Sequence, residues 1–238
     1  MTTVQNIHAI VTHCKSKLNF TELLANSQSY QHLPACVVDT VFSIGARYTS
    51  TSNTVVRFCT QLSLPVFGVN TRPPISKQFS ISDFLKLYEM YDADTLAQTL
   101  YQNRQRTSTC NGILKAKAAQ EFGQVLQANH VEYLQDVDKI VGQAAFERAI
   151  QQIPGQRSGI SLRYFYILVG SSEHVKPDRM VMRFLFAATG CSVGVAEAEN
   201  NIRQACTILR QEYPELTPAL LDNMIWRYQQ SQRPALKP

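Results

Sequence analysis

No two of the six cysteines in this 238-residue sequence stand close enough to form a CxxC pair. Cys14, Cys36, Cys59, Cys110, Cys191 and Cys206 are scattered, which reads as free thiols in a reducing compartment. Most fall on apolar helical faces: Cys14 with Ile10 and Leu18, Cys59 with Val55 and Leu62, Cys206 with Ile202 and Leu209. His8 and His13 have no companion ligands at metal-binding spacing, so neither a metal nor a cofactor is expected. No apolar run reaches membrane-spanning length, and the N-terminus lacks a charged segment followed by an apolar core. A cytoplasmic protein is therefore expected. Alternation of period two is missing as well, and no internal repeat is visible. Trp226 is the only tryptophan, and its expected role is packing.

What remains is helical. Hydrophobic residues make up 45% of the chain and charged ones 17%, the balance of an ordinary globular protein and not of a disordered one. The net charge of +5 permits a nucleic-acid partner without demanding one. Apolar spacing predicts helices over 4–18, 35–44, 53–62, 82–90, 94–103 and 113–128, with a further one over 136–150 broken near Gly142. Room for a short helix exists at 21–25. Ser82 is the expected cap of the 82–90 helix. Val195 opens a long helix to about residue 212, and Thr217-Pro218 is a cap and first-turn pair for a last one. Asp39 stands among Val37, Val38 and Val41, so its carboxylate needs a hydrogen-bonding partner or lines a pocket. The loop PVFGVNTRPP at 65–74 is a candidate hinge. The fold class is all-α, one unit with two helical lobes: one formed by about 75–170, the other by the N- and C-terminal segments.

The most informative stretch runs over 153–185, IPGQRSGISLRYFYILVGSSEHVKPDRMVMRFL. Pro154, Gly155, Ser158, Gly159 and Ser161 suit a tight turn whose N–H groups point outward at a helix start. Leu162, Phe165, Tyr166 and Val169 then give an amphipathic helix, and Gly170 ends it. A polar loop delivers Asp178 to the next helix, whose buried stripe is Val181, Phe184, Leu185 and Ala188. Such a turn holds a phosphate; equally, the whole is a helix–loop–helix with Asp178 as an N-cap.

The stretch resembles the signature of the helix–hairpin–helix superfamily of base-excision DNA glycosylases, typified by endonuclease III and the bacterial alkyladenine glycosylases. Ile153-Pro154-Gly155 matches the start of that hairpin, Gly170 the helix end and Asp178 the aspartate position. More weakly, the resemblance extends from Leu33 to Tyr228. Two positions depart from it. The second hairpin glycine falls on Arg157, and the place of the Schiff-base lysine of bifunctional members falls on Gly159. Covalent lyase chemistry is therefore not implied, and no iron–sulfur cluster is, because the closely spaced cysteines are missing.

The resemblance implies a monofunctional N-glycosylase acting on double-stranded DNA with a damaged or modified base. Pro154, Gly155, Gln156, Arg157, Ser158, Gly159 and Ser161 would contact one phosphate backbone, with Lys176 and Arg179 either neutralising phosphate or facing water. Asp178 would activate water or stabilise the oxocarbenium ion. Arg47, Tyr48, Tyr164 and Tyr166 are the candidates for the base pocket. Gly45 falls where the endonuclease III branch has the glutamine that fills the gap left by the flipped base, so that role is open. Arg104, Arg106, Lys115 and Lys117 are further candidates for phosphate, or an ordinary solvated face. Two alternatives stand beside excision: a DNA-binding protein of the same fold without catalysis, and an unrelated helical interaction protein.

Overall fold

Leu33 to Phe42 is the stretch on which the larger part of the structure is built, because every one of its ten residues is buried. A helix that is apolar all round has to be surrounded by other helices. In the computed structural model, which describes residues 3–22, 29–69 and 72–232, that helix is the second of eleven. The first seven are α1 (Thr3–Lys17), α2 (Leu33–Phe42), α3 (Tyr48–Gln61), α4 (Ile81–Met90), α5 (Ala93–Gln98), α6 (Lys115–Ala128) and α7 (Ala144–Gln152). Four more follow: α8 (Ile160–Leu168), α9 (Arg179–Thr189), α10 (Val195–Leu209) and α11 (Pro218–Ser231). A two-residue antiparallel ribbon, β1 (Ser29–Tyr30) with β2 (Phe67–Gly68), is a small addition to a helical structure.

The chain divides into two compact units: a terminal unit, Met1–Asn26 with Ser171–Pro238, and a middle unit, Ser27–Gly170. The middle unit thus begins near residue 27 and not near 75. The reason lies in α2, whose Val37, Val38, Val41 and Phe42 share a core with Phe58 of α3, Phe84 of α4, Phe122 of α6 and Phe165 of α8. In the terminal unit, Ile10 and Cys14 of α1 pack with Phe184 of α9, Ile202 of α10 and Ile225 of α11. Cys14, Cys36, Cys59 and Cys206 are buried free thiols, while Cys110 and Cys191 are exposed. Among the described residues, no helix is long and apolar enough to cross a membrane.

Local chemistry explains where helix ends depart from the periodic reading. α3 starts at Tyr48, before the apolar run, because hydroxyls along the TSTSNT segment find backbone acceptors. Thr51 Oγ1 donates to the Phe42 carbonyl at 3.2 Å and Thr54 Oγ1 to the Ser50 carbonyl at 2.9 Å. Ser80, not Ser82, caps α4 by accepting the Asp83 N–H; the Ser82 hydroxyl goes instead to Glu132 at 2.8 Å. Thr217 caps α11 with Pro218 in its first turn, as expected. The short helix expected at 21–25 reduces to a 3-10 turn over Phe20–Glu22, and its remainder lies outside the described residues.

Candidate functional site

Between α7 and α8 the chain makes a tight turn. Gln156 N–H donates to the Ile153 carbonyl at 2.9 Å and Gly159 N–H to the Gln156 carbonyl at 3.0 Å. Gly155 has φ +93° and Gly159 φ +71°, conformations that an L side chain resists. Gly159 is the N-cap of α8, so the N–H groups of that helix's first turn open onto the turn, the Ile160 N–H donating to Ser158 Oγ at 3.4 Å. Arg157 and Ser158 are exposed, whereas Gln156 and Ser161 are buried. The Ser161 hydroxyl donates to Gln156 Oε1. That pairing turns both side chains inward, so they brace the turn from inside and offer only backbone to a ligand. The phosphate contact expected of this turn is one made through its backbone N–H groups, to which these two side chains add nothing.

A second turn leans on the first. An alanine Cβ at Gly155 would stand 2.4 Å from Thr107 Cβ, so glycine there permits the close approach of the 103–114 loop. That loop closes on itself through Thr107 N–H to the Ile113 carbonyl at 2.9 Å and Arg106 Nε to the Gly112 carbonyl at 2.8 Å. It also reaches α3. Asn103 Nδ2 donates to Thr54 Oγ1 at 3.0 Å and Gln105 Nε2 to Ser50 Oγ at 3.3 Å. The first turn of α3 carries exposed Arg47 and Tyr48, the latter 52% exposed. Three segments are thus joined in the middle unit: the 103–114 loop, the 153–159 turn, and α3 at Ser50 and Thr54, just after the 43–48 turn. Arg104 is held by Asp94 at 2.9 Å.

Lys115 does not face outward with these cations. It is 1% exposed, and its Nζ donates to the Phe42 carbonyl at 2.9 Å and to Gln105 Oε1 at 2.8 Å. Burial lowers its pKa to about 8. The side chain ties the end of α2 to the 103–114 loop, and a phosphate contact for it is ruled out by its depth.

The four pocket candidates do not gather. Arg47 and Tyr48 stand out on the first turn of α3. Tyr164 Oη donates to Asp39 Oδ2 at 3.2 Å, and Tyr30 Oη donates to the same oxygen at 2.7 Å. These are the partners that the buried Asp39 carboxylate requires. Tyr166 is buried, its hydroxyl directed at the Ile140 carbonyl at 3.4 Å. A cavity of about 180 Å³ in the same unit is lined instead by Ser29, Tyr30, Arg72, Leu134, Leu168, Val169 and Gly170. Tyr30 lies in a polar segment with no helical period, and no sequence signal marks it.

Asp178 belongs to the terminal unit. It is the N-cap of α9, and one carboxylate oxygen, Oδ1, accepts both cap bonds, from Met180 N–H at 2.7 Å and Val181 N–H at 3.3 Å. Neither bond uses Oδ2. Lys176 is half-buried and Arg179 exposed. A second carboxyl group, Asp222 on α11, accepts the Lys176 N–H at 3.0 Å. Burial, and after it the Asp178 charge, raises the Asp222 pKa to about 8. The sequence hides this group, because LLDNM reads as an ordinary helical segment. Among the described residues no three His, Cys, Asp or Glu side chains come together as a metal site.

No curated protein and no solved structure matches the chain. One family does, described as a domain of unknown function (DUF8548), over residues 8–230; the chain belongs to that family.

Proposed function

We propose that the protein binds duplex DNA through the three joined segments of the middle unit and acts as a monofunctional N-glycosylase of the helix–hairpin–helix kind, excising a damaged or modified base. The observation that carries this reading is the packing of the 103–114 loop against Gly155 on one side and against Ser50 and Thr54 of α3 on the other. It ties to one another the segments that carry exposed Arg47, Arg106 and Arg157 and the start of α8. Cations and backbone donors so arranged suit a phosphate backbone, which such contacts position without reading its sequence. Excision further requires the base to leave the stack. Asp178 then stabilises the oxocarbenium sugar and orients water through the oxygen that its cap bonds leave over.

A second reading, DNA binding without excision, is favoured by one observation: Asp178 serves α9 as a two-bond N-cap, which is sufficient reason for an aspartate there. One experiment separates the two. Wild type and Asp178→Asn are incubated with duplexes that each carry a single damaged base, then treated with alkali. Strand cleavage by wild type alone supports excision. Salt-sensitive binding by both proteins with no cleavage supports the second reading, and no DNA binding at all removes both.

A further inference from the structure

We infer that Asp222 is a positioning residue for Asp178, holding from α11 the turn on which that carboxylate is carried. The inference rests on the catalytic reading of Asp178 given above. Two hydrogen bonds tie α11 to the segment that ends in Asp178. Ala219, in the first turn of α11, donates its N–H to the Ser172 carbonyl at 3.0 Å. One turn further on, Asp222 Oδ1 accepts the Lys176 N–H at 3.0 Å. The Lys176 carbonyl in turn accepts the Asp178 N–H at 2.6 Å. The Lys176 peptide groups are therefore held on both sides, by Asp222 at the N–H and by Asp178 itself at the carbonyl.

The holding group did not have to be ionisable. Asp222 is only 9% exposed and follows the fully buried Leu221, a place where an amide would accept the same bond without a titrating proton. The acid brings a second property. Burial and the Asp178 charge push its pKa up to about 8, opposed by the Lys176 N–H and ammonium. Asp178 at the start of α9 and Lys176 in the preceding loop are the charged groups that act on it. At neutral pH Asp222 keeps its proton. Above about pH 8 it ionises against the Asp178 charge, and that repulsion opposes the turn that holds the two together.

The test uses the full chain labelled with carboxyl-13C aspartate, as wild type, Asp222→Asn and Asp178→Asn. The expected result is one carboxyl resonance that titrates near the value given above and is missing from Asp222→Asn. The Asp178 resonance, recognised by its loss in Asp178→Asn, moves with the same midpoint. Single-turnover excision by wild type falls on the alkaline side with a midpoint near the value given above, and Asp222→Asn, which has no proton to lose, flattens that limb. At neutral pH Asp222→Ala slows the step roughly tenfold or more, while Asp222→Asn, which keeps the acceptor oxygen, restores most of the rate. Titration of Asp222 in the ordinary carboxylate range overturns the inference, as does an Asp178 resonance that ignores it. Because the titration is read without DNA, a protein that cuts no duplex sinks the catalytic reading alone, and the coupling still decides on Asp222.

Discussion

The middle unit buries a base and the terminal unit an acid, and burial drives both toward the same pH. Lys115 comes down from 10.5 to about 8, and Asp222 comes up from 3.8 to about 8. In each case loss of water disfavours the charged form. The consequences differ. Lys115 remains largely charged at neutral pH and spends that charge on two acceptors, the Phe42 carbonyl and Gln105 Oε1. Asp222 remains largely neutral and spends an oxygen on the Lys176 N–H. Both sit at joints: Lys115 where α2 meets the 103–114 loop, Asp222 where α11 meets the Asp178 turn. Each unit thus fixes a surface segment from beneath with a group that changes charge in mildly alkaline solution.

The largest effect that would disturb this comparison is expected in the middle unit, at Gly155. Alanine there adds a left-handed strain to a Cβ 2.4 Å from Thr107 Cβ, and is expected to cost about 3 kcal/mol of stability. Gly170 is the control. Its φ is +101°, yet a Cβ there meets nothing within 4 Å, so alanine is expected to cost about 1 kcal/mol. Urea unfolding of the two variants measures both. Equal losses would mean that the 103–114 loop yields freely, and the three joined segments would lose their rigid middle member.

How much of this was legible in the sequence depended on whether a single residue announced its own surroundings. Gly170 ended its helix and Thr217-Pro218 began one, because cap geometry is local. The tight turn at 153–159 was legible for the same reason. The inward pairing of Gln156 with Ser161 was not, since a polar side chain beside a glycine turn looks solvent-facing. Lys115 read as one of several cations on a charged face, yet it is the one drawn inside, and only the Phe42 carbonyl, 73 residues away, explains why. Asp222 was hidden alike, its partner being a backbone N–H 46 residues off. Asp39 was different: three valines around it required a partner, although nothing named Tyr30 and Tyr164.

Next in size come the two pH dependences, which have opposite signs. For Asp222 the folded pKa lies above the unfolded value. The folded state holds a proton that the unfolded chain has released, so stability is full at low pH and falls as pH rises toward 8. For Lys115 the folded pKa lies below the unfolded value, so the penalty of its buried charge is present below about 8 and is relieved as pH rises toward 10.5. Thermal melting across this range should therefore show a decline that Asp222→Asn flattens and an alkaline recovery that Lys115→Met flattens. Below about pH 4, where the carboxyl is neutral folded and unfolded, Asp222→Asn should change stability by less than about 1 kcal/mol, since it replaces a neutral acceptor with another, and at neutral pH Asp222→Asn should be the more stable protein. A melting curve indifferent to both substitutions would show that neither group is sealed from water in solution.

The smallest effect concerns binding, and it asks which unit meets DNA through its cations. Arg157 is exposed in the α7–α8 turn and Arg227 is exposed on α11. If the joined segments of the middle unit lie along a phosphate backbone, Arg157→Ala should lower the slope of log affinity against log salt by about 1 and weaken binding several-fold at moderate salt. Arg227→Ala, which removes the same charge from the other unit, should leave the slope within error. Fluorescence anisotropy on one undamaged duplex at four salt concentrations is enough, because phosphate contact carries no base preference. Equal reductions for the two arginines would mean that net charge alone draws the protein to DNA. The joined segments would then be a structural feature of the middle unit, and a binding role would have to be sought elsewhere on the chain.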